Sequence, residues 1–545
     1  MIANRFLSAT LDGPEAVRHF DVAVTPEGDR ASFDSLEDCQ PPQPFRNATA
    51  FRTQEGTTMN QIVTETTAPA RPFTHLHCHS HYSLLDGAGD IGKLVNRCVE
   101  HGMNSLALTD HGNLHGALEF YRKSKSAGIN PIIGYEAYIA PGSRFEKGGA
   151  SSSKAASYHL TLLAKNRTGF RNLIKLASAA SLEGFYFKPR IDKEILEKYN
   201  EGIVCLSGCV SSEFSRAVIK GVDTAEVEKE AREIAGWFHN VFDDRYFIEI
   251  MNNEVDIQKA QLENAVEIAN RMGLPLVATS DCHYVDRGDA EAQDIMLCIN
   301  TGRYRTDTSR MKMENDEFFL RSPDQMYDKF PGLEHAVARS QEIADSVDID
   351  LELGKYYFPS FECPDQKEPI DYLRELCIKG LKERYEDEPE RFKGDDLSDE
   401  VMARLDRELD VIEKLGYPTY FLIVWDFVLH ARSKGISATA RGSGVGAIVC
   451  YALYMSHVCP LRYDLLFERF LDESRTEPPD IDIDFEKERR GEVIDYVKER
   501  YGSEMVCQIG TFGTLAARAA IKDTGRALGV PLARVNQITE MVPDE

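Results

Sequence analysis

At 545 residues the chain has room for two to four domains, and its 42% apolar and 28% charged residues are ordinary for a globular protein. No stretch approaches about 18 uninterrupted apolar residues, and no basic start leads into an apolar run, which argues against a membrane span and a secretion signal. The formal charge of −26 argues against a nucleic-acid partner held by bulk electrostatics, although a sum over the surface says little about one groove.

Residues 1–72 show no sustained periodicity and are rich in Pro, Thr, Asp and Glu, which predicts a disordered extension, with Met59 an alternative start. From Phe73 to about residue 350, short apolar runs such as Ser105–Leu108, Ile203–Leu206 and Leu276–Thr279 alternate with amphipathic segments such as Ile91–His101 and Ile257–Met272. That alternation predicts an α/β domain of the barrel type. A Pro- and acid-rich linker is expected over 351–370 and a mostly helical region from Asp371 to His430. A Gly/Ser loop at 441–446, an apolar helix and one short strand over 480–485 follow. The 12 cysteines include no CxxC pair and sit in apolar runs, as reduced thiols in a cytoplasm do.

Two constellations carry chemistry. In His75-Leu-His-Cys-His-Ser-His81, four histidines at alternating positions share one face of an extended strand. Asp86 follows in a turn. Further apolar runs lead into His111, Glu136, His159, Cys209, Asp281 and His283. In a barrel, strand ends open on one shared mouth. Imidazole, thiolate and carboxylate together suit zinc or manganese better than calcium. The second constellation is Asp480-Ile-Asp482-Ile-Asp484-Phe485, whose strict alternation predicts a strand with three carboxylates on one face. Same-face neighbours about 6.5–7 Å apart could grip a pair of Mg²⁺ ions. Upstream, Arg441-Gly442-Ser443-Gly444 resembles a phosphate-binding turn at a helix start. Downstream, Arg518, Lys522 and Arg526 form a basic stripe suited to a nucleic-acid backbone.

The stretch from His75 to about Tyr284 resembles the polymerase and histidinol phosphatase (PHP) domain family. The resemblance implies a distorted seven-stranded barrel and a trinuclear site with His77, His79, Asp86, His111, Glu136, His159, Cys209, Asp281 and His283 as ligands. His75 and His81 are left as structural or supporting residues. Arg-Gly-Ser-Gly, Leu-Leu-Phe-Glu-Arg-Phe-Leu at 465–471, the triple-Asp run and Gln-Ile-Gly-Thr-Phe-Gly-Thr at 508–514 resemble the bacterial C-family replicative polymerases. That resemblance implies a PHP domain over 73–350, a helix-rich α+β nucleotidyltransferase-like palm over 371–510 and the start of a helical thumb over 511–545. Asp480 and Asp482 would hold Mg²⁺, with Asp484 the weaker candidate. Arg441, Gly442 and Ser443 would hold the nucleotide phosphates, and Arg518, Lys522 and Arg526 the DNA. The PHP site would take up to three Zn²⁺ or Mn²⁺ ions and proofread in the 3′–5′ direction. The implied partners are a DNA primer–template, deoxynucleotides, a sliding clamp, a clamp loader and a separate exonuclease subunit. The family's third catalytic Asp lies on a later strand, so the expectation is a truncated chain that does not polymerise alone. A stand-alone PHP phosphoesterase or exonuclease and a non-catalytic replisome scaffold are the alternatives.

Overall fold

The computed structural model describes residues 71–150, 152–221, 225–355, 360–474 and 479–543. The extension expected over 1–72, with Met59, lies outside them except for Arg71 and Pro72. Arg71 sets its guanidinium over the Tyr327 ring, and the Pro72 carbonyl accepts from the Tyr327 hydroxyl. Among the described residues the chain forms two compact units, one of 71–349 with 515–543 and one of 350–514.

The first unit is built on a curled sheet. Its strands are β1 (Ser105–Leu108), β2 (Asn130–Ile139), β3 (Tyr158–Ala164), β4 (Arg190–Ile191), β5 (Ile203–Leu206), β6 (Tyr246–Met251) and β7 (Leu276–Thr279). They are ordered β1-β2-β3-β5-β6-β7, with β4 alongside β2. β1, β5 and β7 are buried along their whole length, the condition that selects continuous Val, Ile, Leu and Ala over alternation. The His75–His79 run lies between the two edges: its carbonyls accept from Ala107 N and Thr109 N on one side and Cys282 N on the other, and His79 N donates to the Cys282 carbonyl.

The seven strands expected for a distorted barrel are present and mixed in direction. β3 runs antiparallel to both β2 and β5, so His159 lies at the start of a strand rather than at its end. Glu136 lies inside β2. The reversal nevertheless brings the first residues of β3 to the rim where β2 and β5 finish, with His159 opposite Tyr138. The helix Ala517–Ala527 lies in the span expected as the start of a thumb. It belongs to the first unit, where Arg305 N donates to the Ala527 carbonyl at 2.8 Å.

The second unit packs helices Pro369–Arg384, Asp399–Lys414 and Pro418–Ser433 around Leu381, Leu405, Phe421, Ile448 and Phe470. A hairpin of β8 (Phe392–Lys393) and β9 (Asp396–Leu397) and a second pair, β10 (Ala438–Ala440) and β11 (Ile483–Phe485), complete it. Only half of the expected 480–485 strand pairs, because β10 offers three residues; Ile481 N donates to the Tyr420 hydroxyl instead. The alternation itself holds: Ile481, Ile483 and Phe485 rest on the core while Asp480, Asp482 and Asp484 are exposed. The apolar helix after the glycine turn is short, Ile448–Ala452.

Candidate metal centre

Pleating sets which side chains converge. Glu136 and Tyr138 share one face of β2 and His159 and Thr161 one face of β3, while Asp281 lies two residues past the end of β7, at φ +49. The nine residues expected at one mouth do meet there. Three overlapping groups bring ligand atoms within 4.8 Å of one another: His77, His79 and Asp281; His79, His111 and His283; and His111, Glu136 and His159. Asp86 Oδ2 reaches His111 Nε2 at 3.2 Å, and Cys209 Sγ lies 3.2 Å from Glu136 Oε1 and 3.6 Å from His159 Nδ1.

The outer partners decide which imidazole nitrogen faces inward. Ser83 has one hydroxyl proton, directed to Asp110 Oδ1 at 2.7 Å, so its oxygen accepts from His79 Nδ1 at 3.1 Å. His283 Nδ1 faces the Asp281 carbonyl at 2.9 Å, where it can only donate. His77 Nδ1 lies 2.8 Å from Glu249 Oε1. In all three rings Nε2 is therefore turned to the site. His79 Nε2 stands 3.2 Å from Asp281 Oδ1, and both atoms are buried without a hydrogen bond, as are His77 Nε2, Asp86 Oδ1 and Glu136 Oε2. Burial, with His111 and His283 close by, pulls the His79 pKa down to about 3, so no proton mediates between these two acceptors. Two lone pairs face to face in a buried site are an arrangement that a cation relieves. For His77, burial works against protonation, but Glu249 and Asp281 outweigh it and raise the pKa well above the usual range. Burial alone would raise Asp281 and Glu136; the neighbouring imidazoles reverse this and hold both well below the carboxylate range. The donor set of nitrogen, oxygen and sulfur fits borderline metal ions.

The other histidines of the first run serve the frame. His75 is fully buried between the Arg321 carbonyl (2.9 Å) and Ser280 Oγ (3.0 Å). His81 lies beyond a turn at Ser80, where Asp110 takes both the amide and the hydroxyl, and its ring packs on Tyr82. That turn ends the alternation that would have put all four rings on one face.

Sequence reasoning missed Glu249. Its fully buried carboxylate accepts from His77 Nδ1, Thr279 Oγ1 (2.6 Å), Thr161 Oγ1 (3.1 Å) and Gly208 N (3.0 Å). The available signal was one acid inside an otherwise apolar strand, Tyr-Phe-Ile-Glu-Ile-Met. Buried carboxylates need several donors.

In the second unit, Arg441 lies against Asp484 (3.2 Å) and Asp482 (3.6 Å), and Gly442 adopts φ +69 beside Asp482. Asp480 lies one step further along the same exposed face, and Ser443 is exposed in the turn Gly442–Gly446. Three carboxylates against one guanidinium leave excess negative charge, a setting for divalent cations. Among the described residues of this unit, no three His, Cys, Asp or Glu side chains bring ligand atoms within 4.8 Å of one another. Beneath the turn lies a buried pair. Arg404 donates to Glu408 (2.6 Å) and to the Gly446 and Leu465 carbonyls, while Glu408 accepts from Ile448 N and Val449 N. Arg518, Lys522 and Arg526 are exposed on Ala517–Ala527, with Arg518 bonded to the Val542 carbonyl and Arg526 to Asp523. No helix among the described residues is long and apolar enough to cross a membrane.

Residues 75–253 match the model of the PHP domain and residues 371–545 that of the bacterial DNA polymerase III alpha NTPase domain. Asp281 and His283 fall beyond the first match, yet they complete its cluster. The chain is 44% identical over 479 residues to the DNA polymerase III subunit alpha of Borreliella burgdorferi, covering 87% of this chain and 40% of that protein. It is 43% identical over 475 residues to that of Treponema pallidum (87% and 39%) and 39% identical over 526 residues to that of Thermus aquaticus (86% and 43%). The chain thus spans about two-fifths of the length of these relatives.

Proposed function

We propose that this chain, which is similar to DNA polymerase III alpha subunits over about two-fifths of their length, is part of a replicative DNA polymerase subunit whose first unit is a metal-dependent 3′–5′ exonuclease. The observation that carries the exonuclease reading is the facing pair of buried acceptors, His79 Nε2 and Asp281 Oδ1, within a nine-residue cluster at one rim. His77, His79, Asp86, His111, Glu136, His159, Cys209, Asp281 and His283 would hold up to three Zn²⁺ or Mn²⁺ ions. Such ions supply Lewis acidity to a phosphodiester and lower the pKa of water. The protein's share is to aim each Nε2 at the site, through Glu249, Ser83 and the Asp281 carbonyl, and to place Glu136 where His77, His111 and His159 all reach it.

In the second unit, Asp480 and Asp482 would hold Mg²⁺ for nucleotidyl transfer, and Arg441 with Gly442 and Ser443 would receive the deoxynucleotide phosphates. Arg518, Lys522 and Arg526 would contact the primer–template backbone. Nucleotide addition, a cytoplasmic location, and the clamp, clamp-loader and separate exonuclease partners belong to this proposal for the whole protein.

The test is incubation of the chain with a 3′-mismatched primer–template and Zn²⁺ or Mn²⁺, without nucleotides. Metal-dependent shortening from the 3′ end, absent in His77→Ala/Asp281→Ala, is expected. Bound metal with no shortening would refute the exonuclease reading.

A further inference from the structure

One turn next to the metal centre holds an aromatic residue in a strained backbone conformation. Phe187 adopts φ +60, a left-handed backbone rare for an aromatic residue, and half of its surface is exposed. The turn is closed by a hydrogen bond from Tyr186 N to the Lys188 carbonyl at 3.0 Å. The Tyr186 ring packs against Phe187 and over the Arg190 guanidinium. Arg190 is itself buried, with its donors spent on the carbonyls of Gly184, Ala156, Arg144 and Glu146. A buried arginine thus braces a strained turn that displays an aromatic ring to solvent. Strain retained at an exposed position is found where a side chain is held ready for a ligand.

The position of the turn identifies the ligand. β4 pairs Arg190 with Tyr138 of β2. The Tyr138 ring lies 5.1 Å from that of His159 and 6.2 Å from that of His111. Lys188 Nζ stands 5.5 Å from the centre of the Tyr138 ring and has no carboxylate partner among the described residues. An exposed aromatic face and an unneutralised ammonium group, one ring away from the metal-type ligands, match a base and its flanking phosphate. Resting on the exonuclease reading, we propose that Phe187 and Lys188 form the subsite for the 3′-terminal nucleotide of an unpaired DNA strand. Phe187 stacks on the base, and Lys188 faces the phosphate next to the one to be cleaved.

The test uses the full chain and a short single-stranded oligonucleotide carrying 2-aminopurine at its 3′ end, without added divalent metal. Binding should quench the fluorescence, whereas the same label at the 5′ end should be unaffected. Phe187→Ala should abolish the quench and weaken binding about tenfold, and Phe187→Trp should restore both. Lys188→Ala should weaken binding and flatten its salt dependence, with Lys188→Arg retaining both. Phe187→Gly, which suits the positive φ, should lose the quench while keeping or raising the melting temperature, a pattern a purely structural role would not produce. Unchanged quench and affinity in Phe187→Ala, or no 3′-specific quench in the wild type, would overturn the subsite. If shortening of DNA persists in those circumstances, the subsite alone fails. If the 3′ end binds through Phe187 but no metal restores shortening, the exonuclease reading fails instead.

Discussion

Glu249→Gln isolates what a residue outside the metal cluster does for it. The two glutamate oxygens divide four donors: Oε1 faces His77 Nδ1 and Thr279, and Oε2 faces Thr161 and the Gly208 amide. A glutamine must place an NH₂ on one side. Towards Gly208 it meets an N–H that cannot turn away, a buried donor–donor clash costing about 1–3 kcal/mol. Towards His77 it forces that ring to accept at Nδ1, which leaves the ring proton on Nε2, the atom aimed at the site. Either orientation weakens the metal centre, and at about 1.4 kcal/mol per tenfold the expected loss of Zn²⁺ or Mn²⁺ affinity is about 10- to 100-fold. Competition with a chelating dye measures the affinity, and unfolding in EDTA reports stability separately. A folded Glu249→Gln chain that binds metal within twofold of the wild type would refute the reasoning.

Other consequences are equally checkable. Burial pushes Glu408 up to about 7 against the donors that hold it down. Its folded pKa thus exceeds its unfolded value, so the stability it contributes is complete below about pH 4.5 and lost as pH rises to 7, up to about 3 kcal/mol. Urea unfolding followed between pH 4.5 and 7.5 should show that slope, and Glu408→Gln should remove it. Arg404→Met leaves Glu408 buried beside the glycine turn without its cation, and should destabilise the second unit by about 3–5 kcal/mol in the same assay at pH 8. At Gly380 a Cβ would lie 2.0 Å from the Ala452 carbonyl oxygen. Gly380→Ala should therefore cost about 3 kcal/mol or more by urea midpoint. Arg441 is 62% exposed, so Arg441→Ala should change stability by less than about 0.5 kcal/mol while weakening deoxynucleotide binding measured by calorimetry.

Much of this protein is legible residue by residue, for reasons that lie in local periodicity. The apolar runs of β1, β5 and β7 declare strands buried on both faces, and the alternation through Asp480–Phe485 declares which side chains are exposed. The residue types at His77, His79, Asp86, His111, Glu136, His159, Cys209, Asp281 and His283 declare a metal-type donor set before any contact is known. Tertiary structure decided what depends on partners distant in sequence. Strand direction is one case: His159 reaches the rim because β3 runs backwards, and nothing in Tyr-His-Leu-Thr-Leu-Leu-Ala encodes direction. Pairing length is another, since β11 ends where the three-residue β10 does. The outer partners are a third. Glu249 lies 172 residues from His77, and a buried acid becomes an orienting acceptor only once four donors from other strands enclose it. The helix Ala517–Ala527 has a basic stripe in any fold, but its place in the first unit follows from contacts with residues some two hundred positions earlier. Periodicity is a property of neighbours along the chain; direction, register and proton placement are properties of neighbours in space.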